Sequence, residues 1–239
     1  MKIDLHSHTR GSDGVSAPAE IAAQALEAGL DGVALTDHHA NVQGDNDEVY
    51  RVAEALRDVG VTPFIGVEYS TEQGHLLIFG VDVPREAWGR YPEMQAVIDD
   101  VNAMGGACVA AHPYKGYRRS LKDGIFSLSG LAAVEGLNGQ CQVREALVSV
   151  NDRARAAAEY LGLPATGGSD AHWARALGTV WTEFPGQTLE DDLDLVSALW
   201  AGNYYPVVGP RVEAERQRLS ARREASWAQG SWSWGVGRV

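Results

Sequence analysis

The chain has 239 residues, 45 % of them hydrophobic, and a formal net charge of −12. That is enough apolar material for one large core of β/α-barrel size, and no apolar run approaches the ~18 residues of a membrane span. The acidic balance excludes broad electrostatic binding to nucleic acid, which needs a basic surface. An anionic substrate stays open, because bound divalent cations reverse the local field.

In chain order, short apolar runs alternate with helical patterns, the mark of βα units. KIDL reads as a first strand. The opening MKIDLHSHT reaches polar residues at once and lacks the apolar stretch of a secretory leader, so a cytoplasmic protein away from membranes is expected. PAEIAAQALEAGL is a helix opened by Pro18, with Ser16 as a candidate cap and Gly29 as its stop. GVALT is a strand and NDEVYRVAEALRDVG a helix; TPFIGVE and HLLIFGV are strands, and PEMQAVIDDVNAMGG is a helix. GACVAA and LAAVEGL are strands, REALVSVNDRARAAAEYLG a long helix, PATGG and LGTVWTEF strands, and LEDDLDLVSALWAG a helix. Residues 1–210 are read as the barrel domain, and residues 211–239 as a C-terminal helix and frayed tail carrying Trp227, Trp232 and Trp234. Cys108 and Cys141 lie far apart in no paired motif, which argues for buried thiols over a disulfide or a cysteine zinc site.

The chemistry gathers on the seven histidines. Nearly all of them fall just after a strand-like run or at its start, whereas random scatter would place some mid-helix or in the tail. In β/α folds, sites are built at the C-terminal strand ends. His6 and His8 form H-x-H after KIDL, and strand alternation points both the same way. Asp13 follows in the turn GSDG. TDHH gives Asp37, His38 and His39; one histidine suits a metal, Asp37 suits orienting a neighbour, and His39 is expected in solvent or behind the ligands. Glu68 closes an apolar run where an acid is poorly placed unless it meets solvent or a cation. His75 opens the next strand, and His112 stands before a proline in AHP. Asp170 and His172 present D-x-H in GGSDAH. Such nitrogen and oxygen donors suit Zn, Mn or Fe.

The order HSH, SDG, TDHH, GVE, a later His, AHP and GSDAH resembles the PHP (polymerase and histidinol phosphatase) family, from Lys2 to about Thr182. The resemblance implies a distorted (β/α)7 barrel and three divalent metal ions. His6, His8, Glu68 and Asp170 would hold one ion. Glu68 as a bridge, with His75 and His112, would hold a second, and Asp13, His38 and His172 a third. It also implies a metal-dependent phosphoesterase, in which hydroxide activated by the metals attacks a phosphate mono- or diester in line. Glu68, Asp170 and His172 are then the catalytic candidates, and a phosphorylated small molecule or nucleotide is the partner. The stretch from Glu68 to His112 leaves no room for the helical insertion of some nucleotide-cleaving relatives, which points to a more open site or one capped by a partner subunit.

For phosphate grip the sequence offers Arg10 and Arg119, with Tyr114, Lys115, Arg118 and Arg175 nearby in the same kind of loop. Two rivals are weighed. An amidohydrolase acting on C–N bonds also begins with H-x-H, but it often carries a bridging lysine, and no lysine here ends a ligand strand. A non-catalytic metal-binding domain would show missing ligands. The sequence leaves the oligomeric state open.

Overall fold

The computed structural model describes residues 1–39, 47–83, 87–116 and 119–228. Arg118, Trp232, Trp234, the tail from residue 229 and the side chain of Trp227 lie outside the described residues. The strands are β1 (Lys2–Asp4), β2 (Gly32–Leu35), β3 (Thr62–Ser70), β4 (His75–Phe79), β5 (Ala107–Ala111), β6 (Ala133–Asn138), β7 (Ala165–Gly168), β8 (Val180–Glu183) and β9 (Tyr205–Val208). The α-helices are α1 (Pro18–Glu27), α2 (Asp47–Asp58), α3 (Met94–Ala103), α4 (Gly139–Gln142), α5 (Val148–Leu161), α6 (Asp192–Ala201) and α7 (Arg211–Ala228). Among the described residues no helix is long and apolar enough to cross a membrane.

The helices follow local rules. Pro18 sits in the first turn of α1, where its missing N–H costs nothing, and Gly29 turns left-handed just past the end. Ser16 does not cap this helix: Ala17 holds the cap position, and the Ser16 hydroxyl accepts instead from Ala174 N at 3.1 Å. Glu93 caps α3 by accepting from Ala96 N, and Asp191 caps α6 through Leu193 N and Asp194 N.

One sheet joins the strands in the order β7-β6-β5-β4-β3-β2-β1-β8-β9. It curls until its ends nearly meet. Beyond β1, His6 O accepts from Asp170 N (2.8 Å) and Ala171 O from His8 N (2.9 Å), while Thr182 Oγ1 of β8 bonds both Gly167 N and Gly167 O of β7. The result is the expected distorted barrel of seven strands, β1 to β7, with β8 and β9 added as an antiparallel flank on β1.

Among the seven barrel strands, β4 runs antiparallel to both of its neighbours. β3 pairs parallel with β2 through Leu35↔Ile65, then antiparallel with β4 through Ser70↔His75. The link is the tight turn Thr71–Gly74, closed by Thr71 N on Gly74 O at 2.7 Å. A parallel return needs a crossover of a dozen residues or more, so this short link forces β4 to run backwards. Glu68 is therefore inside β3 and does not end it. The reversal also puts His75, the first residue of β4, at the barrel mouth where the other strands end.

Inside the barrel, Ile3, Leu5, Phe64, Leu77, Phe79 and Val109 pack with Leu195 and Leu199 of α6. Val33 and Leu35 of β2 meet α1 and α2 through Ile21, Ala25, Val52 and Leu56. Ile78, Cys108 and Val134 meet α3 and α5 through Val97, Ile98, Ala154 and Ala158. Both cysteines are free and buried, and burial pushes each thiol up to about 12.

Candidate metal centre

All nine residues expected to bind metal meet at one end of the barrel. Glu68 is the hub and is 1 % exposed. Its Oε1 lies 2.6 Å from His75 Nδ1 and 2.9 Å from His112 Nε2. Its Oε2 lies 3.2 Å from His6 Nε2, 3.3 Å from His8 Nε2 and 3.2 Å from His38 Nδ1. One carboxylate thus addresses two groups of imidazoles, one through each oxygen. Asp170 Oδ1 lies 3.4 Å from His8 Nε2 and 3.8 Å from His6 Nε2. On the outer side, Asp13 Oδ2 faces His172 Nε2 at 3.2 Å and His38 Nε2 at 3.6 Å, and Asp13 Oδ1 faces His8 Nδ1 at 3.4 Å.

These atoms form overlapping donor sets, each spanning at most 4.8 Å: His6, His8 and Glu68; His38, Glu68 and His75; and Asp13, His8, His38 and His172. The donors fit divalent ions. His8 Nδ1 and His38 Nδ1 are buried and make no hydrogen bond, although carboxylate oxygens stand close by. Buried polar atoms are almost always satisfied, so these lone pairs suit coordination better than hydrogen bonding.

The electrostatics agree. Burial opposes charge on His6, yet Glu135, Asp170 and Glu68 hold its pKa well above the ordinary imidazole value. Burial likewise opposes charge on His8, and Asp170 and Glu68 push it up to about 9. Burial would raise Glu68, but His6, His38 and His112 hold it well below the usual carboxylate range. Asp170 is held low against burial by Lys115 and His6. A concentration of buried carboxylate charge that draws protons onto imidazoles will equally draw cations.

A layer of partners fixes these side chains. His6 Nδ1 is 2.9 Å from Glu135 Oε1, which leaves Nε2 free to face Glu68. Glu135 Oε2 also accepts from His112 N at 2.6 Å. His172 Nδ1 is 3.0 Å from Asp170 O, and donation there leaves its Nε2 lone pair toward Asp13. Gln140 Nε2 donates to Asp170 O (2.9 Å) and Oδ1 (3.2 Å), and Asn138 Nδ2 donates to Asp170 Oδ2 at 3.1 Å. His112 and Asp170 take left-handed backbone angles, with φ of 26° and 54°. Such strain costs about 1–3 kcal/mol per residue and persists where surroundings over-determine it. Here the bond from His112 N to Glu135 and the bond from Asp170 N to His6 O do so.

Sequence reasoning missed Glu135, Asn138 and Gln140. The signal for Glu135 was an acid inside the apolar run LAAVEGL, the same signal that marked Glu68. The roles of Asp37 and Lys115 differ from expectation, and His39 takes the buried one of the two places expected for it. Asp37 orders the loop that carries Asp13: it accepts from Thr9 N at 2.7 Å, from Thr9 Oγ1 and from Ser12 Oγ at 2.5 Å. His39 is buried with its ring 4.5 Å from that of Tyr69, away from solvent. Lys115 is 4 % exposed, its Nζ 2.5 Å from Asp170 Oδ2, where a solvated basic loop was the alternative. Arg10 is exposed and donates to Val15 O at 3.0 Å, Arg119 lies 3.7 Å over the Tyr91 ring, and Arg175 stacks 5.1 Å over Trp173.

The mouth tolerates no added bulk where β7 passes β1. A Cβ on Gly168 would stand 2.5 Å from His6 Cβ and 2.8 Å from His6 N. Gly168→Ala is expected to cost about 3 kcal/mol by overpacking and to weaken metal uptake by displacing His6; urea unfolding and metal analysis check both.

Residues 4–162 match the PHP domain family, and residues 148–204 match the PHP-associated family. Protein MJ1587 of Methanocaldococcus jannaschii is 32 % identical over 151 residues, covering 58 % of this chain and 82 % of that protein. A 5′-3′ exoribonuclease of Haemophilus influenzae is 32 % identical over 105 residues, 43 % of this chain but only 35 % of the exoribonuclease. Among solved structures, a two-domain protein of Bacteroides vulgatus containing a "predicted PHP-like metal-dependent phosphoesterase" superposes with a TM-score of 0.64 at 17 % identity, over 87 % of this chain and 65 % of that one. The fold, the His/Asp/Glu cluster at the barrel mouth and the matched span together make this chain a member of the PHP domain family.

Proposed function

We propose that this protein hydrolyses a phosphate mono- or diester at a centre of three divalent ions, drawn from Mn, Fe or Zn. The observation that carries the reading is Glu68, whose two oxygens face separate imidazole groups in the manner of a carboxylate shared between ions. His6, His8, Glu68 and Asp170 would hold one ion; Glu68, His75 and His112 a second; Asp13, His38 and His172 a third. When bound, the ions would neutralise phosphate charge and make water acidic enough to react near neutral pH.

The chain's own groups do the rest. Glu135 fixes the ring of His6, and Gln140 and Asn138 fix the carboxylate of Asp170. Lys115 balances part of the carboxylate charge beside Asp170. Arg10, in the loop joining His8 to Asp13, and Arg119 supply cations for the substrate side. The phosphodiester chemistry in the name of the Haemophilus influenzae relative supports phosphorus over carbon as the centre attacked.

The test is phosphate-ester cleavage by protein reloaded with Mn or Zn, using 4-nitrophenyl phosphate and bis(4-nitrophenyl) phosphate, with Asp170→Asn alongside. Metal-dependent turnover is expected, reduced in the variant by at least about 10²-fold. Protein that takes up metal and cleaves neither ester would move the C–N hydrolase reading ahead.

A further inference from the structure

The C-terminal helix α7 (211–228) begins beyond both matched family regions, which end at residues 162 and 204. It nevertheless reaches the loops of the metal centre. Arg216 donates through Nε and Nη2 to Gln142 O, at 3.2 and 2.8 Å. Gln142 is the last residue of α4, and two residues before it stands Gln140, which holds Asp170 and lies 3.0 Å from His172 Nδ1. A second path leaves the same residue. Gln142 Oε1 accepts from Asn151 Nδ2 (3.0 Å), Asn151 Oδ1 accepts from Asn138 N (3.1 Å), and Asn138 Nδ2 donates to Asp170 Oδ2 (3.1 Å).

α4 has four residues, too few to be stable as a helix alone. Gln142 O, at its C-terminal end, carries partial negative charge, and the Arg216 guanidinium donates to it. α7 is seated firmly enough to serve as the anchor. Arg211 reaches Gln24 Oε1 at 3.1 Å, Leu177 O at 3.4 Å and Glu27 Oε2 at 3.4 Å, and Val212 is buried. Farther along, Glu215, Arg218 and Leu219 line a small crevice with Gln140, Asp170 and His172.

We propose that α7 belongs to the metal centre: Arg216 clamps α4 so that Gln140 holds Asp170 in its ligating position. Arg216 is a positioning residue. The proposal rests on the metal-binding reading above, and its test separates the two.

The full chain is titrated with cobalt(II), followed by the visible absorption of the bound ion, and metal-free samples are melted by circular dichroism. Wild type that takes up no cobalt would sink the metal reading itself. Given uptake, Arg216→Ala is expected to weaken the ion that Asp170 would hold about tenfold and to change its visible spectrum. Arg216→Lys, which keeps a cationic donor on a single nitrogen, restores part of the affinity. In a Gln140→Ala background, where only the path through Asn151 and Asn138 remains, Arg216→Ala is expected to change cobalt affinity by clearly less than it does in the otherwise wild-type chain. Unchanged affinity in Arg216→Ala, or an undiminished effect in the Gln140→Ala background, overturns the proposal. If Arg216→Ala melts far below wild type, Arg216→Gln is judged by the same two criteria.

Discussion

Glu68→Gln is expected to remove both activity and bound metal, with turnover falling by about 10³-fold or more. The amide has nearly the shape of the carboxylate, so β3 and the barrel should fold around it. Its chemistry differs at one atom: an NH2 group replaces one oxygen, and an N–H cannot ligate a cation. Glu68 has five imidazole nitrogens within 3.3 Å, two around Oε1 and three around Oε2. Whichever way the amide turns, one imidazole group loses its shared oxygen and meets a donor. The carboxylate charge that helps hold His6 and His8 protonated, and that would attract ions, also goes. Elemental analysis of the purified variant should find fewer ions per chain than in wild type. A variant with the full metal complement would sink the bridging role, even if activity were lost. Asp170→Asn is the informative contrast, since Asp170 is nearest His8 at 3.4 Å and His6 at 3.8 Å, with His112 of the other group at 4.0 Å.

The histidine pattern carried the site in the sequence because strand geometry is so regular. H-x-H on extended backbone must present both side chains to one side, and βα architecture puts strand ends at one mouth; Asp170 of the D-x-H is left-handed just past β7 and reaches the same mouth through that turn. What stayed hidden depended on pairing partners distant in the chain. β9 is the four-residue run YPVV, interrupted by Pro206 and half exposed; only its antiparallel register with β8 makes it a strand. α4 is one turn of helix, too short for any periodic signal. The direction of β4 was readable in principle from the short link between Ser70 and His75, which no crossover helix can occupy. Gln140 and Asn138 are neutral polar residues whose importance arises from the 30 and 32 residues of chain that separate them from Asp170.

Stripping the metal should lower the melting temperature by at least about 10 °C. An ion at 1,000 times its dissociation constant adds about 4 kcal/mol per site, and for a domain of this size each kcal/mol moves the midpoint by about 2–4 °C. The difference should also depend on pH. In the metal-free protein His8 has its pKa raised from 6.5 to about 9, and His6 is raised as well. A raised folded-state pKa stabilises the metal-free fold fully below the unfolded value of 6.5, and that stabilisation is lost as pH climbs toward about 9. Metal uptake must displace the same protons, so apparent metal affinity rises over the same interval. Both effects widen the gap between loaded and stripped protein from pH 6 to pH 8.5. Scanning calorimetry of chelator-treated and manganese-loaded samples at several pH values measures it directly. Equal midpoints at every pH would mean that no ion binds the folded chain in preference to the unfolded one, and the centre would then be a buried charge network with another purpose. A gap that narrows as pH rises would keep the metal but deny that His6 and His8 give up protons to it.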